Sequence, residues 1–217
     1  MHKSLLYLLL FMTFLEAQCQ PTAISKVAQQ AYKLHATYKE PVITERRFKH
    51  QDIVPLLEEL RKNPLFQVQV VGESVEERDI YLVKVGTGKT KVMLWSQMHG
   101  DESTATMALF DLFNFLQKSD ELDSVKKEIL RNTTLYIVPM LNPDGAEVFK
   151  RRNAYDIDLN RDALRLQSPE ARLLKHLRDS LNPEFGFNLH DQSRLYTVGT
   201  TSKPATISFL APAFDYA

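Results

Sequence analysis

The chain has 217 residues, of which 44% are hydrophobic, so it can bury one substantial core and is expected to form one domain. It carries 27 basic and 27 acidic residues, which gives a formal net charge of zero. This balance argues against a nucleic-acid-binding surface or a polybasic membrane anchor, and it favours a small molecule or a peptide as the partner.

Residues 1–19 have the pattern of a secretory signal peptide. Lys3 precedes an apolar stretch from Leu5 to Leu15, and the segment Ala17-Gln-Cys19 fits a small-residue cleavage site. The apolar stretch is too short to span a bilayer comfortably, so we expect a secreted or periplasmic protein without a transmembrane segment. The alternative is lipid attachment at Cys19, which is the only cysteine of the sequence.

Residues 20–47 form a polar lead-in that is partly helical, has no strong periodicity, and is predicted to be a loosely attached extension. From Phe48 the pattern becomes regular, and residues 48–217 are predicted to form the folded domain. A helix is predicted across Gln51–Leu60. Pro55 is expected in its first turn, where a missing backbone N–H is tolerated.

Three strands follow this helix. The segments Phe66–Val71 and Ile80–Val85 alternate in polarity and predict a hairpin-like pair, and Val92–Ser96 is an apolar run typical of a central strand. The turn Gly86-Thr-Gly-Lys89 lacks the spacing of a phosphate-binding loop, which excludes nucleotide binding there.

The second half of the chain alternates between helices and strands. Its predicted elements are a helix from Glu102 to Leu116, a polar helical stretch to Arg131, a strand at Leu135–Val138, a helix from Pro169 to about Leu181 with Ser168 as its N-cap, and a strand at Phe185–Leu189. This alternation predicts an α/β fold with a mixed central β-sheet and helices on both faces. Functional residues are expected in the loops at the carboxyl ends of the strands.

His99 and Glu102 lie on the predicted turn from the Val92–Ser96 strand to the next helix, where two side chains three residues apart converge. Imidazole and carboxylate are the ligand types of a catalytic zinc site that leaves one position open for water. Such a site requires a third ligand, which should be a histidine. The pair by itself also fits a loop histidine beside an acid that the helix dipole favours.

Further motifs follow in a fixed order: Asn142-Pro-Asp-Gly145, Arg151-Arg-Asn153, Asp158-Leu-Asn-Arg161, and His190 at the end of the last strand. With H-x-x-E they resemble the M14 zinc carboxypeptidase family, whose members carry H-x-x-E, N-P-D-G, R-x-N, D-x-N-R and a late histidine. The resemblance runs from about Phe48 to Pro212. It implies a zinc carboxypeptidase-like fold, with residues 48–217 as a partial catalytic domain.

The resemblance implies a ligand set and a cofactor. His99, Glu102 and His190 would hold Zn²⁺, and water in the fourth position would have its pKa lowered toward about 7. Arg151 would polarise the scissile carbonyl and stabilise the oxyanion, and Arg152 takes this role if the motif is shifted by one residue.

The same resemblance assigns Asn160 and Arg161 to the terminal carboxylate of a peptide substrate, because a guanidinium group matches a carboxylate bidentately. The Asn142-Pro-Asp-Gly145 segment is predicted to be a type I turn that serves as scaffold. Asp144 would either orient a ligand histidine or cap the turn.

Two residues beside the last motif are left with two interpretations. Asp191 is as compatible with a solvent-exposed position as with a functional one. Tyr196 would line the cleft or belong to the core.

Two catalytic parts of the family have no counterpart in the sequence. The family's general-base glutamate and substrate-capping tyrosine occur well beyond the last zinc ligand, whereas residues 191–217 contain no glutamate. Tyr196 and Tyr216 are too close to His190 to match the capping tyrosine. Because the final segment from Ile207 is apolar, we expect the sequence to be cut short on its C-terminal side.

Three functions remain open at this point. The leading one is a zinc metallocarboxypeptidase that acts on peptides with a free C-terminal carboxylate. The second is an N-acyl amino acid amidohydrolase like the succinylglutamate desuccinylase and aspartoacylase group, which shares H-x-x-E and D-x-N-R. The third is a catalytically inactive zinc-binding or peptide-binding module, defined by the missing glutamate.

Overall fold

The computed structural model describes residues 23–192 and 197–203. The chain divides into two compact units, Met1–Thr37 and Tyr38–Ala217. Helix α1 (Ala23–Tyr38) contains all the described residues of the first unit and ends at the first residue of the second. The predicted signal peptide, Tyr196, Tyr216 and the apolar segment from Ile207 lie outside the described residues.

The second unit contains every helix and strand that the sequence pattern predicts for it. In chain order the elements are α2 (His50–Arg61), β1 (Phe66–Glu73), β2 (Asp79–Val85), β3 (Thr90–Ser96), α3 (Thr104–Gln117), α4 (Asp123–Asn132), β4 (Thr133–Val138), α5 (Pro143–Val148), a 3₁₀ helix (Leu159–Arg161), α6 (Pro169–Leu181) and β5 (Phe185–Leu189). Within the described residues, no helix combines the length and apolar character needed to cross a membrane.

The strands form a mixed sheet in the order β1-β2-β4-β3-β5. β1 pairs with β2 and β2 with β4 in antiparallel register, whereas β3 is parallel to both β4 and β5. The predicted hairpin and mixed sheet are confirmed. Because β4, β3 and β5 run in one direction, their carboxyl ends meet at the same edge of the sheet.

Hydrophobic side chains are buried on both faces of the sheet, and successive residues of β2 point alternately to one face and the other. Tyr81, Val83 and Val85 pack with α2 and α3 on one face. Ile80 and Leu82 pack with α6 on the other face. The predicted arrangement of helices on both sides of the sheet is therefore confirmed.

Two local predictions were wrong. Pro55 lies in the second turn of α2, because the helix begins at His50 and the Asp52 carboxylate accepts a hydrogen bond from Lys49 N–H (2.7 Å) at its start. The Asn142-Pro-Asp-Gly145 segment opens helix α5 and is not an isolated turn. Asn142 Oδ1 accepts a hydrogen bond from Gly145 N–H (2.9 Å), and a proline at the first helical position favours continuation.

Residues 38–47 contribute to the second unit, although the sequence pattern assigned them to the lead-in. Tyr38 and Ile43 are 4% and 2% exposed. The Tyr38 hydroxyl donates a hydrogen bond to Asp120 (2.7 Å), and its ring packs edge-on against Phe115. The segment that leads into α2 is thus fixed to the domain.

Candidate metal centre

His99, Glu102 and His190 meet at the edge of the sheet where β3 and β5 end. The parallel pairing of these strands extends to Ser96 and Leu189, so the loops that follow them start side by side. The rings of His99 and His190 lie 4.8 Å apart between centroids. One ligand atom from each of the three residues lies within 4.8 Å of the other two.

Glu102 lies between the two histidines. Its Oε1 is 2.8 Å from His99 Nδ1, and its Oε2 is 2.6 Å from His190 Nδ1. Burial alone would raise the pKa of the Glu102 carboxyl, but the hydrogen bonds with His190 and His99 outweigh burial and hold this pKa well below its usual range. The carboxylate is therefore ionised and available as a ligand.

Asp158 fixes the orientation of the His99 ring. Its Oδ1 lies 3.0 Å from His99 Nε2, and it also accepts a hydrogen bond from Asn160 N–H (3.0 Å) at the start of the 3₁₀ helix. Burial raises and the His99 and Arg151 interactions lower the pKa of the Asp158 carboxyl, with a net lowering. Each ring nitrogen of His99 therefore faces a carboxylate oxygen, and a proton on Nε2, directed at Asp158, would leave Nδ1 free to accept or to ligate.

His99 protonated on Nε2 is the form that could bind a metal ion through Nδ1. In that tautomer the Nδ1 lone pair of His99 and the Glu102 carboxylate are two acceptors that need a cationic group between them, and in this structure Nη1 of Arg151 takes that place. The side chain of His99 is 1% exposed, whereas that of His190 is 31% exposed, so the cluster opens to solvent on one side. Two imidazoles and one carboxylate with an open side match a catalytic zinc site.

The structure brings Arg151, and not Arg152, to the cluster. Arg151 Nη1 lies 3.1 Å from His99 Nδ1 and 3.2 Å from Glu102 Oε1, and its Nη2 pairs with Asp158 Oδ2 at 3.1 Å. Arg152 points to another partner, since its Nη1 donates to Asp156 O (2.7 Å). His99 Nδ1 and Glu102 Oε1 are therefore already in contact with one cationic group, the guanidinium of Arg151.

Asn160 and Arg161 lie on the 3₁₀ helix directly after Asp158. Asn160 is half-buried, and its Oδ1 is 3.5 Å from Asn188 Nδ2. It lines a cavity of about 450 Å³ together with Met98, the neighbour of His99. Arg161 is exposed, and its Nη1 donates to Asn160 O (3.1 Å).

Asp144 takes neither of the two roles predicted for it. It is 3% exposed, accepts a hydrogen bond from Ser74 Oγ (2.6 Å) and pairs with Arg78 Nη1 (2.7 Å). The carboxylate that orients His99 is Asp158, at the head of the Asp-Leu-Asn-Arg motif. The Asp-Leu-Asn-Arg motif could have predicted this contact, but the sequence analysis assigned roles only to its Asn160 and Arg161.

The fold and the cluster define a class of protein: an α/β domain with two histidines and a glutamate that could hold a metal ion at the carboxyl ends of parallel strands. The model of the zinc carboxypeptidase family, peptidase M14, matches residues 53–203. The chain therefore belongs to the M14 zinc carboxypeptidase family.

Individual relatives agree with this assignment. The chain is 28% identical to carboxypeptidase SOL1 of Arabidopsis thaliana in an alignment 136 residues long that covers 55% of this chain and 28% of the relative. Its fold is similar to a metallo-carboxypeptidase from Burkholderia cenocepacia (26% identity, TM-score 0.62), over 67% of this chain and 41% of the other.

A metallo-carboxypeptidase from Pseudomonas aeruginosa, solved in complex with (2-guanidinoethylmercapto)succinic acid, is similar over 67% of this chain and 40% of the other. The identity is 28% and the TM-score 0.61. The chain thus spans less than half the length of these relatives.

Proposed function

We propose that the protein is a zinc-dependent metallocarboxypeptidase that removes C-terminal residues from peptides. The observation that carries the proposal is the convergence of His99, Glu102 and His190 with their ligand atoms within 4.8 Å. Membership of the zinc carboxypeptidase family supports the choice of metal and reaction.

His99, Glu102 and His190 would hold the zinc ion. A zinc ion bound in such a site polarises a carbonyl oxygen and makes water acidic enough to ionise near neutral pH. Asp158 would keep His99 in the tautomer that ligates through Nδ1, because its carboxylate accepts the Nε2 proton.

Arg151 would stabilise the negative charge that develops on the scissile carbonyl oxygen. Electrostatic donors of this kind contribute about 3 kcal/mol to the lowering of the reaction barrier. Because two cations repel each other, zinc loading would release Nη1 from Glu102. The contacts with Asp158 are compatible with both states and would keep the guanidinium group beside the cluster.

Asn160 and Arg161 would bind the free carboxylate of the substrate. Arg161 is exposed and its guanidinium group is accessible to a ligand. Asn160 lines the cavity together with Met98, which lies in the loop of residues 97–103, the ligand loop. A carboxylate between an amide and a guanidinium group would fix the last residue of the peptide, which makes the enzyme an exopeptidase.

The first experiment measures metal content and hydrolysis in the same preparation. We expect one zinc ion per chain, and we expect peptides with a free C-terminal carboxylate to be cleaved and their C-terminally amidated counterparts to resist. His190→Ala should lose the zinc, whereas His176→Ala, on the exposed side of α6, should retain it.

Each alternative predicts a different outcome. Zinc binding without hydrolysis of any peptide supports the inactive binding module. Preference for an N-acyl-aspartate over a peptide supports the amidohydrolase. Unchanged zinc content in His190→Ala would contradict the ligand assignment. A secreted or periplasmic location is part of the proposal, and it is tested by N-terminal sequencing of the protein exported by its native host.

A further inference from the structure

Arg46 connects the two loops that carry the metal-binding side chains. It lies in the segment that precedes α2, far from both loops in sequence. Its Nη2 donates to the backbone oxygen of Asp101 (3.2 Å) and to Asp191 Oδ2 (2.5 Å). Its own backbone oxygen accepts a hydrogen bond from Ser103 Oγ (2.6 Å). Asp101 and Ser103 flank Glu102, and Asp191 follows His190, so one residue contacts both loops.

Asp191 continues this connection to the ligands themselves. Its Oδ1 accepts hydrogen bonds from the backbone N–H (3.1 Å) and the hydroxyl group of Thr104, the first residue of α3. Its backbone N–H donates to Glu102 Oε2 (3.3 Å). The carboxylate of Asp191 is thus held between Arg46 and the start of α3, with its backbone against a metal-binding side chain.

The contacts of Arg46 and Asp191 connect two loops that are not paired with each other in the β-sheet. The β3–β5 ladder ends at Ser96 and Leu189, before the loops that carry Glu102 and His190. A mononuclear metal site requires its ligands at fixed spacing, and the groups behind the ligands supply that rigidity.

We propose that Arg46 is a positioning residue that joins the two ligand loops and sets the spacing between Glu102 and His190 for Zn²⁺. This inference rests on the proposed zinc site. It extends the functional part of the protein to the segment that the sequence pattern assigned to a lead-in. The side chain of Arg46 is 54% exposed, so its ion pair contributes little to global stability, and its effect belongs to metal affinity.

The neighbouring residue offers a matched control. Arg47 is also exposed, and its guanidinium group stacks on the Phe149 ring at 4.8 Å from the centroid. Within the part of the chain that the structure describes, Arg47 forms no ion pair. Removing Arg47 therefore changes charge and exposed surface as removing Arg46 does, without disconnecting the loops.

The test is the Zn²⁺ affinity of the full chain, measured by competition with a chromogenic chelator at fixed pH. We expect Arg46→Ala and Asp191→Asn each to weaken zinc binding about 10- to 100-fold, the range for groups that orient metal ligands. Arg47→Ala should stay within about twofold of the wild type. The double variant Arg46→Ala/Asp191→Asn should bind zinc no more weakly than the worse single variant, because both changes break the same Arg46–Asp191 ion pair.

Chemical denaturation of the metal-free protein separates positioning from a merely structural role. We expect Arg46→Ala and Arg47→Ala to unfold at similar denaturant concentrations. Three results would each overturn the inference while leaving the zinc site intact. They are wild-type zinc affinity in Arg46→Ala, additive losses of affinity in the double variant, and a fall in the stability of the metal-free protein that accounts for the lost affinity. If Arg46→Ala does not fold, Asp191→Asn decides by the same criteria. A wild-type chain that binds no zinc would overturn the proposed function, and the inference with it.

Discussion

His99 depends on a carboxylate that lies far from it in sequence. Asp158 contacts its Nε2 atom and also pairs with Arg151. One aspartate therefore contacts both a proposed metal ligand and the guanidinium group proposed to stabilise charge on the substrate.

We predict that Asp158→Asn weakens zinc binding by about 10- to 100-fold, because a neutral amide orients His99 but makes its imidazole less basic. Asp156→Asn is the control in the same loop, since the Asp156 side chain is 88% exposed. Chelator competition measures both variants. Equal affinities in the two would show that the Asp158 contact is dispensable.

Gln97 is a second residue whose importance depends on its surroundings. It is fully buried and has a φ of +48°, a left-handed conformation that costs a non-glycine residue roughly 1–2 kcal/mol. Its Nε2 donates to Gly100 O (2.9 Å), and its Oε1 accepts from Thr106 Oγ1 (2.9 Å). The side chain thus binds the ligand loop to α3.

We predict that Gln97→Ala lowers the free energy of unfolding by about 1–3 kcal/mol, because the Gly100 carbonyl loses its partner in a buried site. Gln97→Gly loses the same hydrogen bonds but adopts the left-handed conformation freely, so it should be roughly 1 kcal/mol more stable than the alanine variant. Urea denaturation compares the two. The reverse order would contradict backbone strain at this position.

At the scale of elements, the ligand loop and helix α5 pack backbone against backbone. A Cβ atom at Gly100 would lie 2.0 Å from the backbone carbon of Gly145. A Cβ atom at Gly145 would lie 2.5 Å from Nδ2 of Asn142, the N-cap residue of α5. The glycines of H-G-x-E and N-P-D-G are therefore the contact point between two motifs.

We predict that Gly100→Ala displaces the ligand loop, because neither backbone can retreat as a flexible side chain would. Zinc affinity should fall more than 10-fold, and stability by an amount in the upper part of the range of about 1–3 kcal/mol for overpacking. Gly186→Ala on β5 is the control, since its Cβ would meet Trp95 at an ordinary 3.5 Å. Both are measured by chelator competition and denaturation, and wild-type behaviour of Gly100→Ala would contradict the close approach.

At the scale of the whole second unit, Glu170 joins three regions distant in sequence. It is the second residue of α6 and is fully buried. Its carboxylate accepts hydrogen bonds from Asn153 Nδ2 (3.1 Å), in the loop that carries Arg151, and from Val75 N–H (3.4 Å), between β1 and β2. Burial raises the pKa of this carboxyl above its usual 4.5.

A raised pKa in the folded state favours the protonated form, so the stability that Glu170 contributes is complete below pH 4.5 and is lost as pH rises through the folded-state pKa. We predict that the free energy of unfolding of the wild type, relative to Glu170→Gln, decreases as pH rises from 4.5 toward neutrality. Urea denaturation over this pH range measures the difference, with Glu121→Gln, an exposed carboxylate, as the control. A difference independent of pH would contradict the raised pKa.

Helix α5 and the 3₁₀ helix were not predicted from the sequence, whereas the five strands, the longer helices, the mixed sheet and the family were. These features follow from local patterns: apolar periodicity, caps such as Ser168 before Pro169, and motifs of three to four residues. The spacing of His99 and Glu102 is of this kind, because a strand-to-helix turn fixes their relation without the rest of the chain.

Which distant residues support His99 and Glu102 depends on how the chain folds. Arg46 and Asp191 are separated by 145 positions, and His99 and Asp158 by 59. Asp144 and Asp158 look alike in sequence, yet one is buried against Arg78 and the other orients His99. Periodicity and motif spacing report on neighbours along the chain, whereas the partner of a carboxylate depends on which loops the sheet brings together at one edge.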